Sequence, residues 1–154
     1  MNNNKITRRV FLSESCRKAS CVIIAALAGT TIGGCGIGSN METVKAPVVN
    51  GAITLPLDAS SHLSEPGNAV FIEHPVIPIV VVHVSSDVFT AVAGMCTHEA
   101  CKISRYDAFM RRFHCPCHNG YFDTTGEPVA GPVRRPLKSY ETRIEEETLV
   151  IRVM

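Results

Sequence analysis

Beyond residue 47 the chain runs in short stretches of β-branched and aliphatic residues, broken by turn residues. The pattern predicts strands at Ala52–Leu57, Ala69–Glu73, Ile79–Ser85, Val88–Met95, Arg112–His114, Pro128–Val129, Lys138–Ile144 and Thr148–Val153. Ser86-Asp87 is expected as the turn of a hairpin between two Val-rich strands. Glu145–Glu147 is expected as a second, solvated turn. No helical stripe follows residue 36. The expected class is all-β, a small sandwich or open barrel of eight or more strands. One stretch departs from this pattern: residues 96–122 are rich in Cys, His, Arg and Pro, like a site inserted into the fold.

Composition changes the picture at the N-terminus. The chain has 154 residues, 45% of them apolar, enough for one domain with a real core and too few for two. Residues 1–35 carry five Lys/Arg against Glu14 alone, whereas the remainder carries ten Lys/Arg and thirteen Asp/Glu. No polybasic tract suggests nucleic acid. Thr7-Arg8-Arg9-Val10-Phe11-Leu12 resembles a twin-arginine export signal, and the apolar stretch Cys21–Ile32 suits a signal core better than a membrane span. Ile32-Gly33-Gly34-Cys35 resembles a lipoprotein cleavage box, which makes Cys35 the candidate lipidation site. An uncleaved anchor over Cys21–Ile37 and soluble release are the alternatives. All three place the domain outside the cytoplasm. The expected organisation is a signal over 1–35, a tether over 36–47 and one domain over 48–154.

The cysteines then carry the chemistry. Cys16, Cys21 and Cys35 fall in the leader, leaving Cys96, Cys101, Cys115 and Cys117, with His98 and His118 beside them. The first box, Cys96-Thr-His98-Glu-Ala-Cys101, and the second, Cys115-Pro-Cys117-His118, each offer a thiolate and an imidazole. A 2Fe–2S cluster with two thiolates on one iron and two neutral imidazoles on the other is easier to reduce than an all-thiolate one. Its potential lies at about −150 to +300 mV against about −400 mV. Cys96 and Cys115 are thus the candidate ligands of one iron, His98 and His118 of the other. Cys101 and Cys117 hold matching places in the two boxes, and in an oxidising compartment they are expected to form a disulfide. Tetrahedral zinc is compatible with the quartet's spacing. It gives no account of the two extra cysteines. His62, His74, His83 and His114 are expected as surface or strand residues. Arg105, Arg111, Arg112, Arg134 and Arg135 are expected as solvated charge or as a basic rim for an acidic partner.

The two boxes resemble those of Rieske proteins, commonly C-T-H-x-G-C and C-P-C-H-G-S. Phe122-Asp123, Gly126-Glu-Pro-Val, Gly131-Pro132, Arg135-Pro136-Leu137, Tyr140 and Thr148-Leu-Val-Ile151 extend the likeness over roughly residues 50–154. The extra cysteine pair is similar to that of Rieske subunits of cytochrome bc complexes. The resemblance implies stacked antiparallel sheets with a small cluster-binding subdomain, one 2Fe–2S cluster, and a third loop at Gly131-Pro132 covering it. Ala100 stands where the first box usually has Gly, and Asn119-Gly120 where the second usually has Gly-Ser. High-potential members continue Gly-Ser-x-Tyr, whose two hydroxyls donate to sulfur. Here Gly120 and Phe122 replace both, with Tyr121 expected to point away, which implies a lower potential.

The expected function is one-electron transfer at the extracytoplasmic membrane face, with proton uptake at the imidazoles coupled to it. The partner is a c-type cytochrome, a cytochrome b complex or another exported oxidoreductase subunit, with quinol as a further donor. Glu99 stands where quinol-oxidising tips carry an apolar residue, which favours a carrier or a subunit of another exported oxidoreductase such as arsenite oxidase. The competing function is a Rieske component of an oxygenase system. That chemistry needs a separate mononuclear iron and far more chain.

Overall fold

The computed structural model describes residues 39–154; the expected signal and Cys35 lie outside the described residues. The twelve strands are β1 (Ser39–Asn40), β2 (Glu42–Val44), β3 (Ala52–Pro56), β4 (Ala69–Ile72), β5 (Ile79–Ser85), β6 (Val88–Ala93), β7 (Arg105–Asp107), β8 (Arg112–Cys115), β9 (Gly120–Asp123), β10 (Pro128–Ala130), β11 (Ser139–Glu145) and β12 (Thr148–Arg152). No helix occurs among the described residues. All eight expected strands are present, and the Ser86-Asp87 and Glu145–Glu147 turns lie where expected.

The strands make a larger sheet in the order β2-β4-β5-β6-β11-β12-β3 and a smaller one in the order β1-β7-β8-β9-β10. β11 divides the larger sheet, because Ser139 and Tyr140 pair with β6 while Glu141–Glu145 pair with β12. The stacked-sheet plan implied by the Rieske resemblance is therefore observed. Among the described strands only β2 and β4 run parallel.

β4 and β5 have no solvent face from Ala69 to Ile72 and from Ile79 to Val82. Side chains alternate across a strand. Val70, Ile72, Ile79 and Val81 therefore enter a core with Ile53, Leu55, Leu149 and Ile151. Ala69, Phe71, Val80 and Val82 enter a second core with Phe113, Phe122, Cys96 and Cys115. Double burial explains the unbroken apolar run Ile79-Val-Val-Val82.

The tether expectation is corrected over residues 39–44. Ser39 and Asn40 pair with Tyr106 and Arg105, and Glu42–Val44 pair with Val70–Ile72. Segments of two or three residues at a sheet edge are too short for alternation to show, so their polar, glycine-flanked text carries no strand signal. β7 and β9 were also unpredicted: three and four residues long, they turn only Tyr106, Gly120 and Phe122 inward, within or beside the Cys- and His-rich stretch.

The β9–β10 hairpin closes on Asp123. Its Oδ1 accepts the Thr125 amide at 2.9 Å, the Thr125 hydroxyl at 2.6 Å and the Glu127 amide at 3.0 Å. Partial burial raises the Asp123 carboxyl, but these bonds outweigh it and hold the group below the ordinary carboxylate range. The unfolded chain binds that proton more readily, so the stabilisation is full above the ordinary carboxyl range. It is lost as pH falls through the depressed value. Asp123→Asn should therefore destabilise the protein at pH 7 and much less at pH 3, measured as the shift in urea midpoint. An equal shift at both pH values would contradict the assignment.

Candidate metal centre

Three loops build the site. The first, residues 96–101, is closed by the Cys96 amide on the Cys101 carbonyl at 2.8 Å and the Ala100 amide on the Cys96 carbonyl at 2.9 Å. Ala100 has φ +50°, left-handed backbone that glycine enters without cost. The second loop joins β8 to β9, where Cys115 pairs with Gly120. Asn119 also has φ +52°, which asparagine tolerates, and its Oδ1 lies 3.2 Å from His114 Nε2. The third loop, residues 131–135, lies against the second. Gly131 has φ +87°, and a Cβ there would collide with the Asn119 carbonyl.

The loops sort their donors by solvent. Cys96 and Cys115 are 5% and 1% exposed, and neither is in a disulfide. Burial pushes the Cys115 thiol up, and the adjoining Cys96 thiol pushes it further. His98 and His118 are exposed, their rings perpendicular with centroids 4.9 Å apart. Glu99 Oε2 lies 3.6 Å from His118 Nε2. The first and second loops are joined by the Cys101–Cys117 disulfide. The structure thus gathers all six side chains singled out from the sequence, with two unbridged buried thiols in the floor and two imidazoles at the rim. These are the donor types of a mixed thiolate–imidazole iron cluster, and the residues present fit such a group.

Three features escaped sequence reasoning. A Cβ at Gly120 would lie 3.8 Å from Cys96 Sγ but only 2.7 Å from Val133 Cγ1, so Val133 fills the place a side chain would take. Thr97 Oγ1 donates to the Arg135 carbonyl at 2.7 Å, and Arg135 Nη2 donates to the Thr97 carbonyl at 3.1 Å. Tyr121 points away from the core, as expected, but its partners were not foreseen: its ring stacks on His114 at 4.6 Å and has the Arg112 guanidinium 4.4 Å from its centroid. The only advance signal was Asn119 at a glycine-like position. The other histidines have separate duties. His62 meets Glu42 at 2.8 Å, His74 Nδ1 accepts the Val76 and Ile77 amides, and buried His83 contacts the Leu63 and Ser86 carbonyls.

Left-handed backbone costs an L-residue about 1–2 kcal/mol, and glycine returns about 0.5–1 kcal/mol of this through unfolded-state entropy. Ala100→Gly should therefore stabilise the first loop by about 0.5–1 kcal/mol. The check is the urea midpoint for bleaching of visible absorbance, and a lower midpoint would sink the strain argument.

The family model of the Rieske [2Fe-2S] domain matches residues 54–141. The chain is 44% identical over 62 residues to the cytochrome b6-f complex iron-sulfur subunit of Chlorobaculum thiosulfatiphilum, covering 40% of this chain and 34% of that protein. It is 38% identical over 65 residues to the cytochrome bc1 complex Rieske iron-sulfur subunit of Corynebacterium glutamicum, covering 41% of this chain and 16% of that protein. The chain thus spans about a third or less of the length of these curated relatives. The fold is shared with the ferredoxin of carbazole 1,9a-dioxygenase from Nocardioides aromaticivorans IC177, at TM-score 0.53 and 22% identity over 61% of this chain and 94% of that one. The family match covers more than half of the chain and both cysteine–histidine boxes, so the chain belongs to the Rieske [2Fe-2S] domain family and binds one 2Fe–2S cluster.

Proposed function

We propose that this protein transfers single electrons at the extracytoplasmic face of a membrane, as a carrier or as the electron-transfer subunit of a respiratory oxidoreductase. In this reading Cys96 and Cys115 hold one iron, and His98 and His118 hold the other. The observation that carries it is the division of the site into buried thiols and exposed imidazoles. When bound, the cluster supplies one-electron redox chemistry at a moderate potential. The chain supplies the rest. The apolar floor of Phe113 and Phe122 keeps water from the thiol side. The exposed rings of His98 and His118 give a partner its shortest approach, and their second nitrogens can carry protons. The disulfide fixes the two loops to one another, so the donors need not reorganise.

Glu99 bears on the partner. An exposed carboxylate beside His118 is costly to bury in an apolar quinone pocket. It favours a protein partner such as a c-type cytochrome or an exported oxidoreductase subunit over direct reaction with quinol. The twin-arginine-like leader and Cys35 support export and a membrane anchor.

Two measurements test this. Reduced protein should give the low-average-g EPR signal of mixed ligation, and His98→Cys or His118→Cys should abolish or alter it. A colourless protein holding stoichiometric zinc would end the proposal.

The potential is a second test. Gly120 and Phe122 provide no hydroxyl, and each missing donor should lower the potential by several tens of mV to about 100 mV, with about 59 mV corresponding to a factor of ten. Gly120→Ser alone must displace Val133 Cγ1, so the informative variant is Gly120→Ser with Val133→Ala. That double variant and Phe122→Tyr should each raise the potential in film voltammetry. A wild-type value already near the top of the Rieske range, about +300 mV, would overturn the argument.

A further inference from the structure

The smaller sheet has two chemically different ends. At one end β8 delivers Cys115 and β9 begins at Gly120, beside the cluster loops. At the other, the hairpin between β7 and β8 carries Ala108, Phe109, Met110 and Arg111. Phe109 is 93% exposed and Met110 52%. The turn is well built: the Met110 amide donates to Asp107 Oδ1 at 2.9 Å, and Arg111 takes φ +51°. A formed turn thus holds two large apolar side chains in water, where an arbitrary loop carries polar residues.

The register of β1 adds a second, independent observation. Ser39 pairs with Tyr106 and Asn40 with Arg105, antiparallel. β1 is therefore entered from the end of the sheet that carries this tip, not from the cluster end. Ser39, the first described residue, therefore lies toward the tip, and the chain before it enters the sheet from that end.

The geometry points to a second membrane contact: the Phe109–Met110 tip inserts into the lipid bilayer interface, and the cluster end faces away from the bilayer. This rests on the membrane-anchored reading above and adds an orientation to it. An anchor makes the tip's contact intramolecular, so two apolar side chains that would bind weakly alone are sufficient. The charges at this end have no basic excess, Arg111 and Arg112 standing against Asp107, Asp123, Glu127 and the Glu65 of the neighbouring loop, whose Gly67 abuts Ala108. The contact is therefore apolar insertion and should survive high salt. Tip and ligand ends are separated by the length of β8, roughly 10 Å. Electrons would then be exchanged on the aqueous side, with a partner that meets His98 and His118 from the compartment.

The chain contains no Trp, so one substitution gives one fluorophore. The full-length chain carrying Phe109→Trp would be reconstituted in phosphatidylcholine–phosphatidylglycerol vesicles with brominated acyl chains. Val76→Trp serves as the control. Val76 is 80% exposed in the loop between β4 and β5, whose Pro78 carbonyl accepts the Gly94 amide next to the first cluster loop. Burial of about 5–10 Å below the headgroups should blue-shift the emission of the Phe109→Trp variant and quench it roughly twofold, in low and high salt, while the Val76→Trp emission stays unquenched. Adding Met110→Asp should relieve the quenching. Co-sedimentation with the vesicles tests the anchor separately. An anchored chain with no quenching at position 109, or with quenching at 76 instead, would overturn the tip contact and leave the anchor standing. A blue shift without lipid quenching would overturn it in favour of a protein partner or a second copy. A chain that does not sediment would overturn both readings.

Discussion

Ala69–Ile72 and Ile79–Val82 are buried on both faces, and that double burial organises the molecule. A strand pair without a solvent face must have a layer on each side. One side is met by β3 and β12 through Ile53, Leu149 and Ile151. The other is met by the smaller sheet through Phe113 and Phe122, which brings Cys96 and Cys115 into the same core. The thiols are thus dry because β4 and β5 need a cover, and the loops that carry them form its rim.

That rim combines opposed demands. Thiols must be buried and imidazoles exposed within two short loops, and each loop bends sharply to do both. Ala100 and Asn119 sit in left-handed backbone as a result. Such backbone persists only where neighbours over-determine it. The disulfide, the Thr97–Arg135 pair and the close approach of Gly131 to Asn119 supply that constraint from three directions. Val133 completes it by filling the space beside Gly120, so the second and third loops fit together as one surface.

Most of this was legible wherever burial writes itself into side chains. The Ile79–Val82 run, the alternation in Thr148–Val153 and the six Cys and His positions all carried their structural meaning in residue type. What was not legible rests on backbone or on distant pairs. β1 is held to β7 by amide and carbonyl groups every residue has, and Ser39 or Arg105 gives no hint of its partner. Gly120 looked like a missing hydroxyl; that Val133 occupies its place depends on two loops meeting in space. Arg135 looked like solvated charge because its acceptor, the Thr97 carbonyl, is invisible in any side-chain pattern.

The pairing of β3 with β12 sets a condition on the order in which the molecule can be completed. Ile53 lies opposite Ile151, and Ala52 opposite Arg152. A strand near the beginning of the domain therefore has its neighbour only after nearly the whole domain has been synthesised. Both cysteine loops exist well before that moment, while the core beneath β4 and β5 is still open on the β3 side. Contacts so far apart in the chain make folding slow and cooperative, since loop closure must precede any gain from pairing. Domain completion thus waits for β12, and a growing chain holds both cluster boxes before it holds a finished β-sheet.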